Sequence, residues 1–137
     1  MNAKKKLLDG KKLLVVDDEV DLREIISEDF EMMGAEVFSA ENGRVAFEIA
    51  QRVLPDAIVS DIRMPGGDGI ELLKSVRSEM PSPQPRVFLI TGFADVTVDQ
   101  AKEMGAQGML PKPFNLRQLR EMVVRSLDGD SQDTVEG

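Results

Sequence analysis

The stretch IVSDIRMPGGDG, residues 58–69, carries an apolar run into a sharp turn, and Asp61 stands where the run ends. The run AIVS, residues 57–60, is short and almost uniformly apolar, which is typical of a parallel strand buried on both faces. The proline and glycines that follow favour a turn. Apolar residues then recur at helical spacing, and Asp68 and Glu71 are spaced as a capping box. The stretch therefore predicts a strand, a turn and a helix.

The same alternation of strand and helix is repeated along the chain. Four other short apolar runs predict strands: KLLVV (12–16), EVFSA (36–40), RVFLI (86–90) and GML (108–110). An amphipathic segment follows each run; the fourth is predicted from about Asp95 to Met104, and the fifth begins at Asn115 with a cap completed by Gln118. Five such units predict an α/β fold with five helices, in which a doubly wound five-stranded parallel sheet has the strand order 2-1-3-4-5.

The composition of the 137 residues predicts one domain and excludes several kinds of site. The chain has no cysteine and no histidine, which excludes disulfides, thiolate or imidazole metal sites, Ser-His catalysis and a phosphohistidine on this chain. A reducing, cytoplasmic location is expected. The net charge of −8 disfavours non-specific binding to nucleic acid or to an anionic membrane, and it is compatible with a cation ligand.

Both ends of the chain differ in composition from the middle. Residues 1–11 are rich in lysine and are predicted to form an N-terminal tail, while residues 12–127 form the domain. Residues 128–137 read DGDSQDTVEG, with one large apolar residue. This composition is typical of a disordered acidic tail or of the start of a linker.

Charged and polar residues stand at the predicted carboxyl ends of four strands. Asp17 and Asp18 follow the first strand, Asp61 the third, Thr91 the fourth and Lys112 the fifth. In the predicted strand order the first and third strands are neighbours, so the three carboxylates are expected to converge. Three like charges repel unless a cation offsets them, and Mg²⁺ prefers oxygen ligands of this kind. A magnesium site is therefore expected at this edge.

The same residues contain the parts of a phosphoryl-transfer site. Asp61 is the best candidate for the nucleophile, Lys112 supplies a positive charge for a phosphoryl oxygen, and Thr91 supplies a hydroxyl. Taken singly, each aspartate is more commonly a cap or turn residue, and a lysine is most often a solvated surface residue. Their joint occurrence at the ends of neighbouring strands favours the functional interpretation. Asp68 is interpreted as a helix cap and not as a ligand.

Four motifs carry a family resemblance: LLVVDDE (13–19), SDIRMPGGDG (60–69), LITGF (89–93) and LPKPF (110–114). In this order and spacing they resemble the receiver domain of response regulators in two-component signalling, which has a flavodoxin-like, CheY-like fold. The resemblance implies that Asp61 is the phosphoacceptor. It also implies that Mg²⁺ is held by the carboxylates of Asp17, Asp18 and Asp61 and by the backbone carbonyl of Arg63.

The resemblance extends to the phosphoryl contacts and to the partners. It implies that Thr91 and Lys112 bind the phosphoryl oxygens and that the peptide bond between Lys112 and Pro113 is cis. The phosphodonor would be a phosphohistidine on a histidine kinase or a histidine phosphotransfer protein, since this chain has no histidine. The domain would catalyse only its own phosphorylation and dephosphorylation, and would switch conformation to signal to a downstream protein or output domain. No direct contact with nucleic acid or membrane is expected, and homodimer formation is left open.

Two positions bear on how such a switch would work. Receivers usually carry an aromatic residue three positions before the lysine, and this chain has Met109 there. Because methionine is flexible and fills gaps without two defined orientations, we expect phosphorylation to reshape the loop after Thr91 more than the surface of the fifth strand. Arg63 and Phe93 are expected to flank the entrance to the site and to tune the access of water or donor.

Two other functions fit parts of the pattern. Phosphatases of the haloacid-dehalogenase kind also use an aspartate at a strand end, but they need a second aspartate two residues later, where this chain has Arg63. An interaction module that no longer takes phosphate is the other alternative. The presence of Asp61, Thr91 and Lys112 argues against it.

Overall fold

The computed structural model describes the backbone of residues 6–66, 68–92 and 96–136. The elements alternate along the chain in the order β1 (Lys12–Val16), α1 (Val20–Met32), β2 (Glu36–Ala40), α2 (Gly43–Val53), β3 (Ala57–Asp61), α3 (Gly69–Glu79), β4 (Arg86–Thr91), α4 (Val98–Glu103), β5 (Gly108–Pro111) and α5 (Leu116–Glu136). All strand pairs are parallel, and the sheet order is β2-β1-β3-β4-β5. The predicted fold class, with five strands and five helices in these residues, is confirmed.

Successive residues of a strand point to opposite faces of the sheet, and in the central strands both sets are buried. In β1, Leu14 and Val16 belong to a core cluster with α2, α3 and α4, whereas Leu13 and Val15 belong to a cluster with α1 and α5. All four side chains are at most 1% exposed. Helices therefore cover both faces, and the carboxyl edge of the sheet is the place where side chains can meet in a crevice.

Side-chain caps fix the beginnings of several helices. Asp68 and Glu71 form the predicted capping box at α3, and Asn115 and Gln118 exchange hydrogen bonds at the start of α5. The α4 helix begins at Val98, later than predicted, because a capping box of Thr97 and Gln100 starts it. The predicted start, Asp95, lies outside the described residues.

The two ends of the domain also differ from the sequence expectation. Residues 6–11 are packed on the domain and do not form a separate tail: Leu8 is 1% exposed, and its N–H donates to the carbonyl oxygen of Met33 over 2.9 Å. The segment was predicted to be a tail because its lysine-rich composition outweighs the signal of one buried leucine. The backbone of α5 is helical to Glu136, past the predicted domain end at Leu127, and no proline in this stretch stops it. Among the described residues, no helix has the length and apolarity that crossing a membrane requires.

Candidate functional site

The strand register brings the predicted site residues to one edge of the sheet. Val16 of β1 pairs with Ser60 of β3, so the residues that follow them, Asp17 and Asp61, lie side by side at the carboxyl edge of the sheet. Asp61 pairs with Ile90 in β4, and Thr91 pairs with Pro111 in β5. Lys112, which follows β5, therefore arrives at the same edge as the carboxylates.

Three carboxylates form a cluster at this edge. Asp17, Asp18 and Asp61 each offer an oxygen, and these oxygens all lie within 4.8 Å of one another. Asp17 is 1% and Asp61 7% exposed, whereas Asp18 is exposed. Burial raises the pKa of the Asp17 carboxyl from 3.8 to about 6; the charge of Asp61 adds to this rise, and a hydrogen bond from the Glu19 backbone N–H opposes it.

The two oxygens of Asp17 have different surroundings. Oδ1 accepts a hydrogen bond from the backbone N–H of Glu19 over 2.8 Å. Oδ2 is buried and has no hydrogen-bond partner in the part of the chain that the structure describes. A buried carboxylate oxygen without a donor is costly, and a hard cation bound by oxygens would satisfy it. The donor set of Asp17, Asp18 and Asp61 therefore fits a divalent cation such as Mg²⁺.

Lys112 contacts the carboxylate cluster through Asp61. Its Nζ lies 3.0 Å from Oδ2 of Asp61, and both side chains are largely withdrawn from solvent. Burial on its own lowers the pKa of the Lys112 ammonium, but the hydrogen bond and charge of Asp61 outweigh burial, so the pKa is raised above its ordinary value. The backbone N–H of Lys112 donates to the Thr91 carbonyl oxygen over 2.7 Å. The peptide bond between Lys112 and Pro113 is cis, as the resemblance implied.

The other residues singled out in the sequence lie around this cluster. Thr91 is buried at 6% exposure, and Arg63 is exposed. Met109 is half-buried, pairs with Leu89 and packs against the core cluster of α2, α3 and α4. Phe93 lies outside the described residues, so its place at the entrance stays a prediction.

Two contacts of the site were missed by the sequence analysis. Gly69 packs so closely against the end of β3 that a Cβ atom would collide with the carbonyl oxygen of Asp61. Arg23 donates from Nη1 to the carbonyl oxygen of Asp17 over 2.7 Å. The glycine directly after the cap residue Asp68 was a weak signal for the first contact. Nothing in the sequence pattern distinguished Arg23 from a solvated helix residue.

The assembled site combines a buried carboxylate, an ammonium ion and two further carboxylates around one crevice. A carboxylate oxygen can act as a nucleophile, and an ammonium ion beside a cation-binding carboxylate cluster can offset the negative charge of a phosphoryl group. The crevice lies at the carboxyl ends of β3 and its neighbouring strands, which is where a doubly wound sheet usually binds its ligand.

Comparison with known proteins gives the same family as the motifs. The family model for the response regulator receiver domain matches residues 13–124. Sporulation initiation phosphotransferase F of Bacillus subtilis is 34% identical over 119 residues, which cover 86% of this chain and 94% of that protein. Regulatory protein AtoC of Escherichia coli is 41% identical over 118 residues, which cover 85% of this chain but 25% of that protein.

Solved structures agree with the sequence comparisons. The chemotaxis response regulator CheY4 of Vibrio cholerae is 33% identical and superposes with a TM-score of 0.75, covering 84% of this chain and 97% of that chain. A CheY-like receiver domain protein from Methanospirillum hungatei, 24% identical, supports the fold with a TM-score of 0.79, over 90% of this chain and 98% of its own. Since the family model matches most of the chain, the protein belongs to the receiver domain family of two-component response regulators.

Proposed function

We propose that this receiver domain accepts a phosphoryl group on Asp61, in a Mg²⁺-dependent reaction, from a phosphohistidine on a histidine kinase or histidine phosphotransfer protein. The observation that carries the proposal is the buried Asp61 carboxylate, 3.0 Å from the Lys112 ammonium and clustered with two further carboxylates. The donor histidine must belong to another chain or segment, because these 137 residues contain none. Apart from this self-modification and its reversal, the domain acts by signalling and not as an enzyme.

The transfer needs one bond to form and one to break. An oxygen of Asp61 attacks the phosphorus atom, the P–N bond of the phosphohistidine breaks, and the bonding pair leaves with the imidazole nitrogen. The Lys112 ammonium and the Thr91 hydroxyl bind phosphoryl oxygens during the transfer. Positioning and charge neutralisation supply most of the catalysis in such a site.

A cation would be held by the carboxylates of Asp17, Asp18 and Asp61, with the backbone carbonyl of Arg63 as a further ligand. Mg²⁺, when bound, supplies positive charge that offsets these carboxylates and the incoming phosphoryl group. The unpartnered Oδ2 of Asp17 supports this assignment, because it is the oxygen with most to gain from a cation.

Phosphorylation would change the partners of Lys112. In the unmodified protein the ammonium is hydrogen-bonded to Asp61 Oδ2. Once an Asp61 oxygen carries phosphorus, the stronger charge of the phosphoryl group competes for Lys112 and for the hydroxyl of Thr91. We expect the loop after Thr91 to follow, which would alter the affinity for a downstream protein or output domain in the cytoplasm.

The proposal is tested by exposing the protein to Mg²⁺ and acetyl phosphate and measuring its intact mass. We expect a gain of one phosphoryl group, lost in Asp61→Asn and suppressed by EDTA. Asp56→Asn is the matched control, because Asp56 lies just before the opposite end of the same strand and its Oδ2 accepts from the Lys12 backbone N–H. Turnover of a generic phosphate ester would instead favour a phosphatase, and a wild-type protein that takes up no phosphate would favour an interaction module.

A further inference from the structure

Asp17 is held by its backbone as well as by its side chain. Its N–H donates to the carbonyl oxygen of Ala40 over 3.1 Å, and its Oδ1 accepts from the Glu19 N–H over 2.8 Å. Its own carbonyl oxygen accepts from Nη1 of Arg23 over 2.7 Å. The remaining polar atom, Oδ2, is the buried oxygen that lacks a partner among the described residues. Three of the four polar atoms of Asp17 are thus fixed by hydrogen bonds, and the fourth is buried in a residue whose carboxylate belongs to the cluster with Asp18 and Asp61.

Arg23 makes the only one of these three contacts that comes from a side chain. It lies in the first turns of α1, and its own backbone N–H donates to the carbonyl oxygen of Glu19 over 2.9 Å. The residue therefore binds both ends of the short connection from Asp17 to Glu19. Backbone N–H groups persist in almost any substitution, but the Arg23 guanidinium can be removed by a single change.

We propose that Arg23 is a positioning residue for the cation site: it fixes the connection between β1 and α1 so that Oδ2 of Asp17 faces Asp18 and Asp61. This inference rests on the proposed function, since it concerns the site that would hold Mg²⁺. The side chain of Arg23 has donors only, so it cannot coordinate the cation. It acts through Asp17, whose carbonyl it holds, in the way that outer partners orient the ligands of a metal.

The sign of the effect separates this role from a simple effect of charge. If Arg23 influenced the site only as a nearby positive charge, its removal would lower the local repulsion of Mg²⁺ and strengthen binding. If it positions Asp17, its removal weakens binding although a cation has been lost. Loss of an outer partner typically costs about 10-fold to 100-fold in metal affinity.

The experiment is a titration of the unphosphorylated full chain with Mg²⁺ alone, followed by amide chemical shifts. We expect Arg23→Met to raise the dissociation constant by about 10-fold or more. Arg23→Lys, which keeps the positive charge and N–H donors but lacks the planar guanidinium, should lose less affinity. Thermal unfolding in EDTA, measured on every variant, reports any general loss of folding; if Arg23→Met does not fold, Arg23→Lys and Arg23→Gln carry the comparison.

Arg120→Met is the matched control. Arg120 also ties another element to α1, since its Nε and Nη2 donate to Asp29 over 3.1 and 3.2 Å, but it does not contact Asp17. Its Mg²⁺ affinity should match the wild type. Equal or tighter binding in Arg23→Met would overturn the positioning role while leaving the proposed function standing. A wild-type chain that binds no Mg²⁺ would overturn both.

Discussion

At the scale of single residues, burial of the ionised Asp17 carboxylate destabilises the fold, and a bound cation would offset this. Its carboxyl has a pKa of about 6 in the fold against 3.8 ordinarily, so the metal-free fold takes up a proton more readily than the unfolded chain. Below about pH 4 both states are protonated and no penalty exists; the penalty grows between about pH 4 and 6, where only the folded state keeps the proton, and is complete above that range. A difference of that size corresponds to an upper limit of about 3 kcal/mol.

We therefore expect Asp17→Asn to be more stable than the wild type at pH 7.5 without metal, with a gain that disappears as the pH approaches 4. The measurement is urea unfolding in EDTA followed by circular dichroism, since the chain has no tryptophan or tyrosine to report by fluorescence. Asp21→Asn is the control with the same change of charge. Asp21 is exposed in the first turn of α1, where its negative charge interacts favourably with the helix dipole, so its loss should not stabilise the protein. A wild-type stability that rises between pH 4 and 7 relative to Asp17→Asn would contradict the prediction.

The sequence was sufficient to place the charged groups of the site but not to describe their contacts. Asp17, Asp61 and Lys112 each follow a strong apolar run, and parallel strands deliver such residues to one edge. The difference between Oδ1 and Oδ2 of Asp17 depends on the path of the next two residues, which no local pattern encodes. The hydrogen bond from Arg23 to the Asp17 carbonyl oxygen depends on a side-chain rotamer, so it could not be predicted from the sequence either.

At the scale of elements, the junction of β3 and α3 depends on one glycine. Gly69 is the buried first residue of α3, and its N–H donates to the Ile62 carbonyl oxygen over 2.8 Å. A Cβ atom there would collide with the Asp61 carbonyl oxygen and lie 3.1 Å from both Ile62 Cα and Ser60 Oγ. Glycine is required here for reasons of space, because the start of α3 packs directly against the end of β3.

We expect Gly69→Ala to lower the free energy of unfolding by about 1–3 kcal/mol, because the backbone must shift to admit the methyl group. Urea unfolding measures the loss, and intact mass after acetyl phosphate treatment should show slower phosphorylation, since the end of β3 moves. Gly92→Ala is the control: the nearest atom to its added Cβ would be Lys112 Cδ at 3.8 Å, an ordinary contact. Equal stability of the two variants would show that the junction has more room than its geometry implies.

The boundaries of elements were predicted correctly where one local motif marks them, and incorrectly where two nearby positions suit the same boundary. The capping boxes at α3 and α5 are encoded by residues three positions apart, and both are present. The start of α4 was placed too early because Asp95, two positions before Thr97, is also a residue type that favours a helix start, and only the observed cap distinguishes the two positions. Thr91 was predicted at the carboxyl end of β4, and the structure places it as the last residue of that strand, paired with Pro111.

At the scale of the whole molecule, the N-terminal segment is part of the folded unit. Leu8 is 1% exposed in the cluster with α1 and α5, whereas its neighbour Leu7 is 64% exposed. We expect Leu8→Ala to cost about 2–5 kcal/mol, from lost burial and the cavity left behind. Leu7→Ala should change the free energy of unfolding by less than about 0.5 kcal/mol. The two adjacent substitutions, compared by urea unfolding, remove the same atoms, so similar losses would show that this segment does not pack as described.

The burial of Leu8 has a practical consequence for anyone producing this protein. The family match begins at residue 13 and the first strand at Lys12, so either boundary would seem a natural point for trimming or for joining a purification tag. Cutting there would remove a buried leucine and leave a cavity in the core cluster that α1 and α5 share. A gene designed for expression should keep every codon from at least Lys6 onward.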